Sequence, residues 1–322
     1  MLESARAFMK SRIILSGAEL DLFTLIARGV HTAEALAVET EADLRGLTRL
    51  LDAIAAFGLL TKEGNLYSLA QGGSFLSADH PESILPMVLH MNEIWDNWSR
   101  LTNTVIEGKN PHRTSPSKKD QKSMKAFIGA MHVVGRELSR EIAGELDLST
   151  YKRLLDIGGA SGTYTVAFLE RNPHMQAMIF DLPQVLPLAE ERISKAGIAD
   201  RVELHGGDFY YDKLPGGCDL ALLSAIIHQN SPEQNLELYR KIHHALLPGG
   251  VLLIRDHIMA EDRVHPPAGA VFAVNMLSVT EGGDTYAFAE IRESLEEVGF
   301  VDVRLIRKGE KMDSLVEAKK PV

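Results

Sequence analysis

The sequence predicts two halves: a helical N-terminal part, and from about residue 148 an α/β part built on a doubly wound, mostly parallel sheet. Three observations predict it. Apolar residues recur at helical spacing over residues 1 to about 145. Short apolar runs then alternate with helical stretches from about residue 152. LLDIGGASG (154–162) runs from a buried strand through a glycine-rich turn into a helix.

The elements follow in order. RIILSGAELDLFTLIAR (12–28) spaces Ile13, Leu20, Phe23 and Ile26 as a helix does. Thr32 precedes an apolar pattern and reads as a helix cap. DLRGLTRLLDAIAAFGLL (43–60) puts Leu44, Leu47, Leu50, Leu51, Ile54 and Phe57 on one face, with Gly58 ending the helix. LLTKEGNLYSLA (59–70) reads as a hairpin turning at Glu63-Gly64-Asn65. Helices followed by a small hairpin make a winged-helix pattern. Residues 83–147 return to helix. Beyond them, RLLDIGG (153–159), QAMIFDLP (176–183), RVELHGGDF (201–209), CDLALLSAII (218–227) and VLLIRDHIM (251–259) read as strands. Helical stretches at 162–172, 184–196 and 232–247 separate them. VDVRLIRK (301–308) and DSLVEAKK (313–320) close a sheet of seven. The expected domains are 1–147 and 148–322.

Composition narrows the function. The 322 residues are 45% hydrophobic and 24% charged, with a formal charge of −10. An acidic surface repels phosphate backbones and anionic lipid, so neither nucleic acid nor membrane is an expected partner. A single cysteine, Cys218, allows no internal disulfide and no cysteine metal cage. With no signal-peptide core at the N-terminus and no run of about 18 apolar residues, the expected location is cytoplasmic.

Open parallel sheets bind ligands outside the carboxyl ends of their strands. Three strand ends carry suitable groups. The 158–162 turn allows close approach to backbone N–H groups at a helix start. Asp181 ends the second strand, where a carboxylate can accept both hydroxyls of a ribose; placed just ahead of Pro183, it could equally cap a helix. Asp208 and Phe209 end the third, where they could bond an adenine amino group and cover its ring. A dinucleotide fingerprint G-x-G-x-x-G fails, because Ala160 and Thr163 stand where its later glycines belong.

Taken in order and spacing, DIGGASG (156–162), FDLP (180–183), GDF (207–209), IIH (226–228), LLPGG (246–250), NMLSVTEGG (275–283), Val298-Gly299-Phe300 and AELDLF (18–23) carry a resemblance over nearly the whole chain. It resembles class I S-adenosylmethionine-dependent methyltransferases, and more closely the group of plant caffeic acid and acetylserotonin (hydroxyindole) O-methyltransferases with its bacterial members. The resemblance implies a Rossmann-like methyltransferase domain and an N-terminal winged-helix domain that makes a homodimer. It implies S-adenosylmethionine as cofactor, S-adenosylhomocysteine as product and no metal. Asp156, Gly158, Gly159, Ala160 and Gly162 would hold the methionine part, Asp181 with Leu182 the ribose, and Asp208 with Phe209 the adenine. His228 would be the general base and Asp256 its acidic partner. Asn275 and Met276 would line the site of a small, aromatic, hydroxylated acceptor, with Met131 and Trp95 added from the helical half.

The chain departs from the family at four places. Ala160 replaces the middle glycine of the turn. Ser224 stands where a cofactor-contacting lysine is frequent, and offers a neutral hydrogen bond instead. Gln229-Asn230 replaces Asp-Trp after the histidine. Only Asp284 and Glu281 lie near the position of a second acid, at Thr285. These departures keep nitrogen, sulfur and carbon open as accepting atoms. A ligand-sensing regulator using the winged helix is a reading from another class. Residues 1–108 count against it, with eight Lys and Arg to fourteen Asp and Glu. A dehydrogenase lacks its third glycine. A metal-dependent mechanism would need partners for Asp256-His257 or for His243-His244, the latter pair expected at a helix surface.

Overall fold

The computed structural model describes residues 1–113 and 121–322. Within these the chain forms two compact units, residues 1–96 with 125–133, and 97–124 with 134–322.

The first unit opens with helices α1 (Leu2–Glu19), α2 (Leu22–Ala27), α3 (Ala33–Glu39) and α4 (Leu44–Ala56). The helix predicted over 12–28 is two helices. Asp21 takes φ 54, and the break lets Leu22, Phe23 and Ile26 all enter the core. Thr32 caps α3, its hydroxyl accepting from Ala35 N–H at 3.2 Å. Asp43 caps α4 in the same way on Gly46 at 2.8 Å. Strands β1 (Leu60–Glu63) and β2 (Leu66–Leu69) form the expected antiparallel hairpin. Short α5 (Gln71–Ser74) follows. The core here is aliphatic around Phe23 and Tyr67, with Leu36, Leu51 and Ile54 fully buried. The helical stretch predicted over 83–147 becomes α6 (Leu85–Ser99), α7 (Leu101–Glu107) and α8 (Gln121–Glu145) among the described residues. No described helix is long and apolar enough to cross a membrane.

The second unit carries β3 (Arg153–Ile157), α9 (Thr163–Arg171), β4 (Gln176–Asp181), α10 (Leu186–Lys195), β5 (Val202–Gly206), β6 (Cys218–Ser224), α11 (Pro232–Ala245) and β7 (Leu246–Asp256). After it come β8 (Ile258–Met259), α12 (Pro267–Val279), β9 (Tyr286–Ala287), α13 (Phe288–Glu297), β10 (Val301–Arg307) and β11 (Ser314–Lys319). The seven-stranded sheet has the order β10-β11-β7-β6-β3-β4-β5. Five strands are parallel; β11 runs antiparallel to both β7 and β10.

Strand alternation assigns the two faces. Leu155, Leu223 and Ile254 point to the side covered by α11 and α13. Leu154, Leu222 and Leu253 point to the side covered by α9, α10 and the C-terminal part of α8. Several strands end earlier than predicted, because the backbone leaves the extended region at Gly158 (φ 67) and Ala225 (φ 58). β7 starts earlier than predicted: Leu246 pairs with Cys218 and Val251 with Leu220, and a bulge absorbs the residues between. The histidine pair on α11 is half as exposed as expected. His244 faces out, but His243 packs edge-on against Phe300 at 4.9 Å.

Candidate active site

The glycine-rich turn forms at the carboxyl end of β3. Gly158 N–H donates to the Phe180 carbonyl at 2.8 Å, which ties the turn to β4. Gly158 takes φ 67, a region that favours glycine, and a Cβ there would lie 2.6 Å from Cδ1 of Ile226, whose side chain reaches the turn from the segment after β6. Phe209 Cε1 is 3.7 Å from the same point, which brings the β5 end to the turn as well. Ala160 takes φ 51, a conformation that favours glycine. Its N–H donates to Asp181 Oδ2 at 2.7 Å, and Leu182 N–H donates to Oδ1 at 2.7 Å. Burial pushes the Asp181 pKa up, against the pull of these two donors. Asp156 is buried, and Thr165 donates to its Oδ2 at 2.7 Å. Burial pushes Asp156 up to about 6, opposed by the Thr165 hydroxyl. Asp208 closes its own turn, accepting from Tyr210 N–H at 2.9 Å.

His228 lies in a one-turn 3-10 helix, Ile227–Gln229, directly after β6. Its Nδ1 is 2.9 Å from both oxygens of Asp256, at the end of β7. Asp256 also accepts from His257 N–H at 2.8 Å, and its side chain is fully buried. Burial works to raise its pKa, but the His228 ring, Arg255 and the His257 N–H outweigh that and hold it below the usual carboxylate range. An ionised carboxylate only accepts, so the proton of a neutral imidazole sits on Nδ1 and Nε2 keeps its lone pair.

The segment after the histidine is fixed from several sides. Asn230 is buried; its side chain accepts from the Tyr210 hydroxyl at 2.5 Å and donates to Asn235 at 2.9 Å. Asn235 donates in turn to the Ile227 carbonyl at 2.9 Å, and Tyr286 donates to the Asn230 carbonyl. Ser231 and Gln234 then cap α11 reciprocally. The departure at Asn230 is therefore a buried anchor of the turn that carries His228. Gly283 presses on the same turn: a Cβ there would lie 2.4 Å from the His228 carbonyl oxygen.

Helix α12 presents Phe272 to the histidines. Its ring meets His228 edge-on at 4.9 Å and His257 at 4.9 Å with a 39° tilt. Burial pushes the His257 imidazole below its ordinary value. Asn275 is one turn along the same helix face, with Oδ1 bonded to Trp98 Nε1 at 2.8 Å, and Met276 is buried beside it. Trp95 and Met131 belong to the first unit, where the Arg12 guanidinium lies 5.7 Å over the Trp95 ring. Ser224 ends β6 and accepts from Arg255 Nε at 2.7 Å.

The structure thus brings His228 to Asp256, the 158–162 turn to Asp181 and Phe209, and α12 to the histidine. Phe272, Trp98 and Arg255 were not singled out from the sequence as site residues, and Asn230 was noted only as a departure from the family, not as an anchor. Arg255 alone left a signal, as a charge inside the apolar run VLLIRD. Neither histidine pair gains a metal set: among the described residues no three His, Cys, Asp or Glu are grouped to hold an ion.

Comparison with known proteins gives consistent findings. Residues 98–301 match the model of an O-methyltransferase domain, and residues 2–79 that of an O-methyltransferase dimerisation domain. The chain is 32% identical over 314 residues to the tetracenomycin polyketide synthesis 8-O-methyl transferase TcmO of Streptomyces glaucescens, covering 94% of this chain and 91% of that one. It is 28% identical over 333 residues to acetylserotonin O-methyltransferase of Gallus gallus, covering 98% and 95%. The solved structure of human N-acetylserotonin methyltransferase in complex with SAM aligns with a TM-score of 0.86 at 25% identity, covering 99% of this chain and 96% of that one.

Proposed function

The chain belongs to the O-methyltransferase family, and from that premise we propose that it transfers a methyl group from S-adenosylmethionine to a hydroxyl of a small aromatic metabolite, with His228 as general base. The observation that carries this reading is the Nδ1 contact to both oxygens of Asp256 at 2.9 Å. It leaves Nε2 as the acceptor of a proton.

The residues present fit the cofactor. Each Asp181 oxygen holds one N–H donor and keeps a second lone pair, which suits the two hydroxyls of a ribose. The Phe209 ring at the turn suits the face of a purine. The Asp156 carboxyl, buried and without a cation bonded to it, suits an ammonium group. Bound there, the sulfonium would supply an electrophilic methyl group.

The chain's own residues do the rest. As the acceptor oxygen bonds to the methyl carbon and the carbon–sulfur bond breaks, Nε2 of His228 takes the hydroxyl proton. Asp256 fixes the tautomer and stabilises the imidazolium that forms. Phe272 and Asn275 on α12 would offer the acceptor an aromatic ring beside His228 and one polar group, with Met276 buried next to them. Holding nucleophile and methyl in line supplies most of the rate available to such a displacement.

Residues 1–147 are read as the part that makes a homodimer, with 148–322 holding the cofactor. The match of residues 2–79 supports this, as do exposed apolar side chains on α1, with Leu2 65%, Phe8 53% and Met9 54% exposed.

The test is release of S-adenosylhomocysteine in the presence of S-adenosylmethionine and a panel of phenolic acceptors, repeated on His228→Ala. Turnover on the responding acceptor is expected to fall about 10²–10⁴-fold, with S-adenosylhomocysteine affinity within about twofold of wild type. Full turnover by the variant would leave positioning as the whole mechanism and remove His228 as the base.

A further inference from the structure

Arg255 is a buried cation that hydrogen-bonds to no carboxylate among the described residues, although through space it pulls down the pKa of both Asp156 and Asp256. It lies in β7, 7% exposed, on the opposite face of the sheet from Asp256. Its Nε donates to Ser224 Oγ at 2.7 Å and its Nη1 to the Met312 carbonyl at 2.6 Å. Its guanidinium carbon lies 5.1 Å over the Tyr164 ring. All three partners are neutral. Burying a charge without a carboxylate bonded to it is costly, so a fold that keeps one has a use for it.

Two details indicate where that use lies. Nη2 makes no hydrogen bond, yet it is not among the buried polar atoms lacking a partner, so it reaches an accessible surface. The Tyr164 hydroxyl is buried near Ser224 and makes no well-aligned hydrogen bond.

The register then sets Arg255 against Asp156. Ser224 is paired with Arg255, while Asp156 is paired with Leu222, and Leu222 with Leu253. Asp156, Ser224 and Arg255 therefore share one face of three adjacent strands, the latter two about 6–7 Å further along. Arg255 and Asp156 form no ion pair with each other. A negative and a positive group, on one face at the carboxyl end of the sheet with one strand between them, can reach from opposite sides toward the two charges of an amino acid.

We propose that Arg255, with the Ser224 hydroxyl, forms a subsite for the α-carboxylate of the cofactor's methionine tail, opposite Asp156 on its α-ammonium. This rests on the cofactor reading above. Ser224 accepts from the guanidinium, which leaves its own hydrogen to donate to the carboxylate, so the strand pair delivers a cation and a neutral donor together. A guanidinium stacked over an aromatic ring is held in place before ligand arrives, which lowers the ordering cost of binding.

The experiment is calorimetric, on the full chain, with three probes: S-adenosylhomocysteine, its α-carboxamide and 5′-methylthioadenosine, which lacks the amino-acid tail. In the wild type, S-adenosylhomocysteine is expected to bind at least about 10-fold more tightly than the carboxamide. Arg255→Met should weaken S-adenosylhomocysteine by about 10- to 100-fold and leave methylthioadenosine within about twofold. Arg255→Lys should fall between. Equal affinity of wild type for acid and amide overturns the proposal, and that comparison stands even if Arg255→Met fails to fold. Unchanged S-adenosylhomocysteine binding by Arg255→Met removes the subsite and leaves the cofactor reading intact. A wild type that binds neither S-adenosylhomocysteine nor methylthioadenosine overturns both.

Discussion

Trp98 Nε1 donates to Oδ1 of Asn275 at 2.8 Å, across 177 residues of sequence. An indole N–H can only donate, so this contact fixes which end of the Asn275 amide faces Trp98. The amide nitrogen is left to donate elsewhere. With Phe272 on the same helix face and edge-on to His228, Asn275 would offer that donor to an acceptor lying over the base. Trp98→Phe keeps an aromatic ring, though a smaller one, and removes the donor, which frees the amide to turn over. The KM for the methyl acceptor is expected to rise about 3- to 10-fold, with kcat changed less than twofold, in steady-state kinetics. An unchanged KM would separate Asn275 from acceptor binding.

Asp256→Asn tests the tautomer. An Asn side chain can donate to Nδ1, which moves the ring proton to Nε2 and abolishes the base. The kcat is expected to drop by about 10⁴-fold, as for loss of the corresponding acid in a Ser-His-Asp triad. Affinity for S-adenosylhomocysteine should stay within about twofold. Asp256 also sets a pH limit. Its folded pKa is depressed, so the stability it contributes is present above its unfolded value and is lost as pH falls through the depressed one.

Asp156 has the opposite sign. Burial raises it to about 6 in the folded chain, against about 3.9 unfolded. Its contribution to stability is complete below about pH 4 and is lost as pH rises through about 6. A shift of about two units amounts to ~3 kcal/mol. Asp156→Asn keeps an acceptor for Thr165 and removes the titration. In urea melts of the cofactor-free protein, the variant should exceed wild type by about 2–3 kcal/mol at pH 7.5 and match it near pH 4. Parallel pH profiles for the two proteins would disprove the assignment.

Gly283 packs against the turn that carries His228. A Cβ there meets the His228 carbonyl oxygen at 2.4 Å and Thr280 Oγ1 at 2.6 Å, and the first of these is backbone that cannot step aside. Gly283→Ala should displace His228, lowering kcat by about 10-fold or more and stability by about 1–3 kcal/mol. Cofactor affinity, read by calorimetry, should hardly change. Wild-type turnover by this variant would show that the loop yields without moving the base.

Exposed apolar residues on α1 predict the assembly. Phe8→Glu with Met9→Glu places two charges on a face that includes Leu2. Sedimentation should find a dimer for the wild type and a single 35.4 kDa chain for the double variant. A dimer that persists would move the interface elsewhere.

The sequence by itself determined the order of strands and helices, the turn at 158–162, and the acids at the strand ends. These are local properties: apolar period, glycine placement and the residue at which an apolar run stops. They also put His228 directly after the fourth predicted strand and Asp256 at the end of the fifth, so their meeting was legible once the strands were known to be adjacent, while the structure ends β6 at Ser224 and sets His228 a turn further on. Where the chain kinks was less legible, because Asp21, Ala160 and Ala225 adopt positive φ without being glycine. Only the tertiary structure decided the pairings that depend on register and packing. The β6–β7 register alone seats Arg255 against Ser224, and a one-residue slip would turn it to the other face. The packing of α12 alone brings Phe272 to His228, and a chain crossing 177 residues alone brings Trp98 to Asn275. Local pattern fixes which face and which end a residue occupies. It does not encode which distant side chain arrives there, because that choice is made by the volume and register of everything packed between them.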